Sequence, residues 1–197
     1  TDKFVIHLLP EKINAWFQGQ NHSQAHVYLV GGAVRDFMLG IESLDFDFIV
    51  QGEAIELARR LAKDFKTAFY ILDRKRGIAR VLLNAEEKDL TLDFADFRGD
   101  SLSEDLRQRD FTINAMAVEI LHPDALIDPL HGEDDLHYRV IRACSSTSFQ
   151  EDAVRCLRAV RFSHQFDFRV EMNTWTSLRE AVQKLPHSSI ERQRDEL

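Results

Sequence analysis

The sequence of 197 residues predicts an α+β fold. Several short runs before residue 98 alternate apolar and polar residues with the period of a β-strand, and helical patterns lie between them. After Arg142 the periodicity is helical throughout. We therefore expect a mixed β-sheet with flanking helices in a first domain of residues 1–142, followed by an all-α domain of residues 143–197.

The individual elements follow from these periodicities and from their flanking residues. In the first domain we predict helices after Pro10-Glu11, at Ala33–Leu39 and at Ala54–Phe65, with strands at Ala25–Val30, Phe46–Val50, Ala68–Leu72, Ile78–Leu83 and Leu90–Phe97. In the second domain we predict helices at Phe149–Phe166, Asn173–Lys184 and Ser189–Leu197, with Ser148 and Ser189 as N-caps.

Composition limits the classes of function. A hydrophobic content of 44% suffices for a buried core. No apolar run is long enough to cross a bilayer, no leader is visible, and Cys144 and Cys156 match no zinc or redox motif, so we expect a cytosolic protein without a membrane partner. The net charge of −8 argues against an RNA partner. That objection weakens if carboxylates belong to a metal site, or if the basic residues that hold RNA lie beyond Leu197.

Gly31 and Gly32 occupy the predicted turn between a strand and a helix. Glycines allow the backbone to approach a ligand closely, and the N-terminus of a helix favours phosphate oxygens. Arg35, one turn later, is a candidate for the same phosphates. A tight turn without a ligand is the alternative, and this motif alone does not exclude it.

Asp45 and Asp47 alternate with two phenylalanines on the next predicted strand. The alternation directs both carboxylates to one side of the strand. Two adjacent carboxylates repel unless a cation lies between them, and a two-metal site for phosphoryl chemistry uses this arrangement. An edge strand with an acidic solvent face is the alternative, but the preceding Gly-Gly turn favours the metal site.

This order of motifs, Gly-Gly-x-x-Arg-Asp and then Asp-x-Asp, resembles the opening signature of the polymerase β nucleotidyltransferase superfamily. It takes the form seen in class II tRNA nucleotidyltransferases, the CCA-adding enzymes, and in bacterial poly(A) polymerases. The resemblance implies a palm, or head, domain followed by a helical neck. It also implies that Asp45 and Asp47 bind Mg²⁺, and that the turn contributes nucleotide-binding residues, namely Gly31, Gly32, Arg35 and Asp36.

A third catalytic carboxylate is usual in such palms. Asp93 is the first candidate, because it alternates with Thr91 and Ala95 on the strand Leu90–Phe97. Asp96, on the opposite face of that strand, and Asp110 are the alternatives.

The segment from Arg107 to Ala117 resembles the family motif R-R-D-F-T-I-N-A-M-A. By this resemblance Asp110 and Asn114 lie near the ribose hydroxyls of the incoming nucleotide, and Arg109 lies near its phosphates. Gln108 replaces the first arginine of the motif. A capped helix at Ser103–Gln108 followed by a buried strand would explain the apolar residues of this segment but not its polar ones.

A helical segment, Glu151–Phe162, resembles the family motif E-D-x-x-R-x-x-R-x-x-R-F. Helical spacing would align its polar residues along one side, namely Asp152, Arg155, Arg158 and Arg161. A carboxylate only accepts hydrogen bonds and a guanidinium only donates them, so an Asp152–Arg155 pair complements cytosine and adenine but not uracil or guanine. Arg158 and Arg161 would face the triphosphate or stiffen this template.

Two further segments resemble connecting parts of the family. Ile127–Arg142 resembles the link between head and neck, for which we expect a turn and a hinge. Ser188–Leu197 resembles a neck motif, for which we expect helix packing. The body and tail that hold tRNA in full-length relatives lie outside this sequence.

The resemblance implies an enzyme that adds nucleotides to the tRNA 3′ end from CTP, with ATP as a second nucleotide, and with Mg²⁺ as cofactor. Only Arg98–Ser103 precedes the helical segment of the R-R-D motif. In the family a short loop at this position is associated with CC addition. The alternatives are complete CCA or A addition, a bacterial poly(A) polymerase and a non-catalytic RNA-binding relative. The basic signature of bacterial poly(A) polymerases is not found around Tyr70–Leu83.

Overall fold

The computed structural model describes residues 8–19, 26–85, 87–99, 101–121 and 125–197. Its α-helices are α1 (Glu11–Gly19), α2 (Gly32–Met38), α3 (Ala54–Phe65), α4 (Leu102–Arg107), α5 (Gly132–His137), α6 (Ser148–Glu151), α7 (Arg155–Phe166), α8 (Met172–Ala181) and α9 (Ile190–Arg194). Its strands are β1 (Val27–Val30), β2 (Asp45–Val50), β3 (Ala68–Asp73), β4 (Ile78–Ala85), β5 (Lys88–Asp96), β6 (Ala117–Glu119), β7 (Leu126–Ile127), β8 (Val140–Ile141) and β9 (Arg169–Val170). Short 3-10 turns lie at Thr112–Asn114 and Val182–His187. Ala25, where the first strand was predicted to begin, lies outside the described residues. In the described part of the chain, no helix is long and apolar enough to cross a membrane.

Contacts divide the chain into two compact units. The first comprises the described residues of Thr1–Leu102 together with Met116–Ile127, and the second comprises Ser103–Ala115 together with Asp128–Leu197. Contact density alone does not define domains, so the division into residues 1–142 and 143–197 stays a prediction.

The first unit contains a seven-stranded sheet in the order β3-β4-β5-β2-β1-β6-β7. Strands β2 and β5 are parallel, and the other neighbouring strands are antiparallel. The predicted mixed sheet is therefore confirmed.

One face of this sheet is covered and apolar. Phe46 and Phe48 of β2 are buried. The Phe48 ring stacks on Phe94 of β5 at 4.8 Å between centroids and contacts Phe17 of α1 at 5.4 Å. Helix α3 buries Leu57, Ala58 and Leu61 among its apolar residues and contacts β3, β4 and β5. Burial of such side chains stabilises a fold by about 1.5–3 kcal/mol each, which fixes the register of the central strands.

The second unit is mainly helical around an aromatic cluster. Phe111 packs edge-on against Phe162 of α7, with centroids 5.8 Å apart, and also contacts Phe149 of α6. Strand β9 pairs in parallel with β8, a feature that the sequence did not predict. Two-residue strands are too short for a period-2 pattern to reveal them.

The prediction of one helix over Phe149–Phe166 is wrong, because the chain breaks between α6 and α7. Asp152 has an extended backbone (φ −150°, ψ 104°), and its Oδ1 accepts a hydrogen bond from the Val154 N–H at 3.1 Å. A short polar side chain that bonds to the backbone two residues later competes with the helix. Asp152 thus precedes α7 and does not share its face with the three arginines.

The predicted N-caps have different outcomes. Ser189 is confirmed, since its hydroxyl accepts from the Arg192 N–H ahead of α9. Ser148 is wrong as a cap, because it lies inside α6 after Thr147. Helix α8 begins at Met172, and the Glu171 side chain accepts from the Thr174 N–H at 2.8 Å.

Candidate nucleotide and metal site

The turn from β1 into α2 depends on Gly31. Its backbone has φ 75° and ψ −134°, a region that side chains with a Cβ rarely adopt. The Gly31 N–H donates to the Met116 carbonyl at 3.2 Å. A Cβ on Gly32 would meet the Arg35 Nη2 at 3.5 Å, an ordinary contact. The backbone therefore requires glycine at position 31, whereas Gly32 lies beneath the guanidinium of Arg35.

Arg35 is buried against its neighbour Asp36. The Arg35 Nε and Nη2 donate to Asp36 Oδ1 at 2.9 and 2.7 Å. This bond orients the guanidinium beside the first turn of α2. Phosphate binding by Arg35 and a role for Asp36 in the nucleotide site stay predictions.

Asp45 and Asp47 are exposed on β2, and the phenylalanines that alternate with them are buried. Both carboxylates therefore lie on the open face of the sheet, as the alternation predicted. Because β2 is a central strand paired on both sides, its backbone holds the two side chains in a fixed spacing.

Asp93 lies beside this pair. The parallel register places Asp47 opposite Asp93 and Asp45 opposite Thr91, and residues in register point to the same face of a sheet. The Asp93 carboxylate accepts two hydrogen bonds from Arg80, from Nε to Oδ1 at 2.8 Å and from Nη2 to Oδ2 at 2.7 Å.

The two alternatives for the third carboxylate have other contacts. Asp96 Oδ1 accepts from the Ala54 N–H at 2.9 Å, at the start of α3. A Cβ on Gly77 would come within 1.9 Å of Asp96 Oδ2, so the Asp96 side chain fills the space that this glycine leaves. Asp110 belongs to a buried network of the second unit. The register thus favours Asp93, whose catalytic role stays a prediction.

The donor set fits Mg²⁺. Among the described residues no group of three or more His, Cys, Asp or Glu side chains is arranged to hold a metal ion. Mg²⁺ does not need such a group, because it binds through one or two carboxylates and completes its octahedron with water and substrate phosphates. Asp45 and Asp47 provide two such carboxylates.

The second unit contains a buried network centred on Asp110. Its Oδ1 accepts from the Phe111 N–H at 2.7 Å and from Asn114 Nδ2 at 3.1 Å, and its Oδ2 accepts from Arg158 Nε at 2.8 Å. Burial alone would raise the pKa of Asp110. The charge of Arg158 and the hydrogen bonds from Asn114, Arg158 and Phe111 outweigh it, so this pKa lies below its ordinary value.

The network continues to the end of the chain. Arg158 Nη1 donates to Glu196 Oε1 at 2.9 Å, and Arg161 Nε donates to Glu196 Oε2 at 2.8 Å. The Arg161 guanidinium lies 4.4 Å from the centroid of the Phe162 ring. Burial alone would lower the pKa of Arg158, but Asp110 and Glu196 raise it. The Glu196 carboxylate therefore holds both arginines that were predicted to face the triphosphate or to stiffen the template.

Asp152 and Arg155 have different hydrogen-bond partners. Arg155 Nη1 donates to the Ser148 hydroxyl at 2.8 Å, and its Nη2 donates to the Gln108 carbonyl at 2.9 Å. Asp152 Oδ2 accepts from Arg192 Nη2 at 2.5 Å. The base-reading role of Asp152 and Arg155 stays a prediction. Asp152, the hydrogen-bond acceptor of this pair, has Arg192 as an additional partner.

Arg109 differs from the other arginines of the second unit. Its Nη2 lies 3.4 Å from Asp105 Oδ2, and its Nε is buried without a hydrogen-bond partner among the described residues. A buried donor without an acceptor costs about 1–3 kcal/mol, so a ligand oxygen at this position would remove that cost.

Sequence reasoning missed three residues that contact the predicted ones, Arg80, Arg192 and Glu196. Arg80 alternates on β4 opposite Asp93, and this register could be read only from the pairing. Arg192 and Glu196 lie in the segment for which we predicted helix packing. Their opposite charge to Asp152 and to the arginines of α7 was the available signal.

Comparison with known proteins identifies the family. The family model described as "Poly A polymerase head domain" matches residues 27–142. A CC-adding tRNA nucleotidyltransferase of Geobacter sulfurreducens is 41% identical over 89% of this chain and 40% of its own length. An A-adding tRNA nucleotidyltransferase of Aquifex aeolicus is 40% identical over 79% of this chain and 20% of its own length. A solved Thermotoga maritima CCA-adding enzyme complexed with tRNA is 36% identical, with a TM-score of 0.84 over 97% of this chain and 47% of that chain.

The chain thus spans less than half the length of these relatives. The family match covers the Gly-Gly turn, the strand of Asp45 and Asp47, and the segment of Asp110. It confirms the resemblance that these motifs carry, and the chain belongs to the Poly A polymerase head domain family.

Proposed function

We propose that this chain is the catalytic part of a tRNA 3′-end nucleotidyltransferase that adds cytidylate from CTP without a nucleic-acid template. The observation that carries the proposal is the exposed pair Asp45 and Asp47 after the Gly31-Gly32 turn, in a member of this family. The names of the relatives, CC-adding and A-adding tRNA nucleotidyltransferase, support tRNA as a partner, and similar solved enzymes in complex with CTP and with ATP support nucleoside triphosphates. We further propose that the protein acts in the cytoplasm.

In the proposed reaction the 3′-hydroxyl of the RNA attacks the α-phosphate of the nucleotide in line. A new phosphodiester bond forms, the bond to the β-phosphate breaks, and pyrophosphate leaves. Mg²⁺ supplies charge stabilisation for the attacking and leaving oxygens when it is bound. Asp45 and Asp47 would hold that cation, and Asp93 on β5 is the candidate for the third carboxylate.

Candidate nucleotide contacts are proposed for each unit separately. Gly31, Gly32, Arg35 and Asp36 form the phosphate turn of the first unit. In the second unit, Arg109 has a buried Nε that suits a phosphate oxygen. Arg158 and Arg161 are further candidates for the triphosphate.

Asp110 is proposed to act through its neighbours. Three hydrogen bonds and the ion pair with Arg158 Nη2 at 2.7 Å already occupy its carboxylate oxygens, so a ribose hydroxyl would have to displace a donor. Asn114, which donates to Asp110, is the better candidate for direct ribose contact. Of the two residues that the family motif places near the ribose, this proposal gives the direct contact to Asn114 and the positioning role to Asp110.

Base selection is proposed to rest on Asp152 and Arg155. The carboxylate accepts from the exocyclic amino group of cytosine or adenine, and the guanidinium donates to a ring acceptor. Uracil and guanine present the opposite order, which leaves groups unpaired at a cost of about 1–3 kcal/mol each.

We propose CC addition as the subtype. Strand β5 ends at Asp96 and α4 begins at Leu102, so the connection is short. A short loop at this position is the family feature associated with CC addition. Complete CCA addition and A addition are the alternatives, and both names occur among similar proteins.

The test supplies the protein, with any further residues of its natural chain, with Mg²⁺ and tRNAs that end before, within or after the CCA triplet. CTP alone, ATP alone and both together are compared, and products are resolved by length. We expect two additions from CTP and no further addition when ATP is present. Completion to CCA would overturn the subtype, and addition of A alone would assign the chain to the A-adding type.

A further inference from the structure

Arg80 is a positively charged side chain without an assigned role, on the sheet face that carries the carboxylates of Asp45, Asp47 and Asp93. It lies on β4 directly opposite Asp93 of β5, and Asp93 lies directly opposite Asp47 of β2. All three residues therefore point to the same open face. Both strands that hold Arg80 and Asp93 are paired on each side within the sheet, so their separation is fixed by the backbone.

The bond between Arg80 and Asp93 uses both oxygens of the carboxylate. The two donor–acceptor distances of 2.8 and 2.7 Å describe a two-pronged pair. Such a pair restricts the carboxylate to one orientation, because rotation of the side chain would break one of the two bonds. Each oxygen keeps one further lone pair, so Asp93 can still accept from a substrate or a water molecule.

Arg80 interacts with two further carboxylates besides Asp93. The hydrogen bond to Asp93 and the charges of Asp93, Asp45 and Asp47 raise the pKa of Arg80, although its partial burial opposes this. The guanidinium therefore interacts with all three carboxylates. Without it, two adjacent strands would carry three negative charges and no compensating cation among these four residues.

We infer that Arg80 is a positioning residue of the metal face, which holds Asp93 beside Asp47 and offsets one of the three negative charges. The inference rests on the proposed function. In this arrangement Asp45 and Asp47 would hold the cation, and the bond to Arg80 would keep Asp93 from coordinating it. Arg80 thereby limits cation affinity and preserves the geometry needed for transfer.

Opposite changes in cation affinity and in the rate of nucleotide transfer distinguish this positioning role from a purely structural one. Loss of the Arg80 charge removes repulsion of the cation and frees Asp93 to coordinate it. At separations of several ångströms near a protein surface, one unit charge changes the affinity for a divalent ion by roughly tenfold. Arg80→Gln should therefore bind the cation more tightly and transfer nucleotides more slowly, whereas a general loss of structure would weaken both.

The measurement is a titration of the protein with Mn²⁺, followed by the electron paramagnetic resonance signal of the free ion. Arg80→Gln is compared with Arg76→Gln, which removes the same charge from an exposed side chain 3.8 Å from Asp73. We expect Mn²⁺ affinity to rise about tenfold in Arg80→Gln and to change less than twofold in Arg76→Gln. Equal affinities for the two variants would overturn the inference.

Two further variants keep the test decisive. In Arg80→Gln combined with Asp93→Asn, the rise in affinity should disappear, because the released carboxylate is no longer present. Arg80→Lys keeps the charge but loses the two-pronged bond, so it should keep the Mn²⁺ affinity within about threefold and lower the transfer rate. If Arg80→Gln does not fold, an unchanged transfer rate in Arg80→Lys overturns the inference instead.

Failure of the proposed function is distinguishable from failure of this inference. A variant with Asp45→Asn and Asp47→Asn should lose Mn²⁺ binding. Retained binding in that variant would remove the metal site itself. Loss of Mn²⁺ binding in the double variant, together with equal affinities of the Arg80→Gln and Arg76→Gln variants, would overturn only the role inferred for Arg80.

Discussion

The two motifs built around aspartates differ in how much solvent reaches their carboxylates. Asp45 and Asp47 are exposed on an open sheet face, and both carboxylates interact with the positive charge of Arg80 on β4. Asp110 is buried, and backbone, amide and guanidinium donors occupy both of its oxygens.

This difference separates two uses of the same residue type. An exposed carboxylate keeps its lone pairs for a ligand and contributes little to stability, because water solvates it equally well in the unfolded chain. A buried carboxylate is tolerated only when donors compensate for its desolvation, and its removal then leaves those donors unpaired. We therefore expect substitution of Asp45 or Asp47 to affect chemistry and substitution of Asp110 to affect folding.

The largest effect is expected for Asp45→Asn. Nucleotide transfer should fall by roughly a thousandfold, since a metal ligand contributes several kcal/mol to the stabilised transition state. The free energy of unfolding should change by less than about 0.5 kcal/mol, because the side chain is exposed. Rates of transfer and urea denaturation of the same preparations measure both quantities.

Asp89→Asn is the matched control for that substitution. Asp89 is also exposed and lies on β5, where it accepts from Asn84. It should keep the transfer rate within about twofold of the original protein. A comparable loss of transfer in both variants would mean that Asp45 has no special role.

Asp110→Asn should mainly lower stability, in contrast to Asp45→Asn, which should mainly lower the transfer rate. It should lower the free energy of unfolding by about 2–4 kcal/mol, because Arg158 loses its buried partner. Urea denaturation followed by circular dichroism gives the difference. Asp134→Asn, on the exposed side of α5 with a side chain 71% exposed, is the control and should be near neutral. A destabilisation below about 1 kcal/mol at Asp110 would contradict the assignment of a structural role.

The pH dependence of stability should also depend on Asp110. Its pKa is lowered in the folded state, so the stability that it contributes is present above the ordinary aspartate pKa of about 4 and is lost as pH falls through the folded value. The stability gap between the original protein and Asp110→Asn should therefore narrow below about pH 4. Denaturation curves of both proteins between neutral and acidic pH test this, and a gap that stays constant would refute the linkage.

The smallest effect is expected for Glu196→Gln. This side chain holds Arg158 and Arg161, but both guanidinium groups are about one third exposed, so solvent screens the interaction. We expect a loss of about 1 kcal/mol in the free energy of unfolding, against no measurable loss for Glu180→Gln on the exposed side of α8. Thermal denaturation of the two variants provides the comparison, and identical midpoints would show that Glu196 does not stabilise α7.

Periodicity predicted the parts of the fold that local sequence controls. The α3 helix was predicted with its observed bounds, because Leu57, Ala58 and Leu61 form one buried stripe. The alternation at Asp45 and Asp47 likewise predicted which face is open. The break before α7 was missed, since it depends on one side chain, Asp152, accepting a hydrogen bond from the Val154 backbone N–H.

Contacts between distant segments could not be predicted in the same way. Arg80 and Asp93 are neighbours only because β4 and β5 pair in one particular register. Glu196 reaches Arg158 only because the chain folds back over many residues. Motif spacing identified candidate groups, whereas the pairing of those groups depends on tertiary packing.

The most direct test of the account is transfer of labelled cytidylate to a tRNA that lacks its terminal CCA triplet. The protein, with any further residues of its natural chain, is compared with its Asp47→Asn variant at equal folded concentration in the presence of Mg²⁺ and CTP. The account predicts two cytidylates added by the original protein and none above background by the variant. Equal incorporation by both proteins, or none by either, would contradict it.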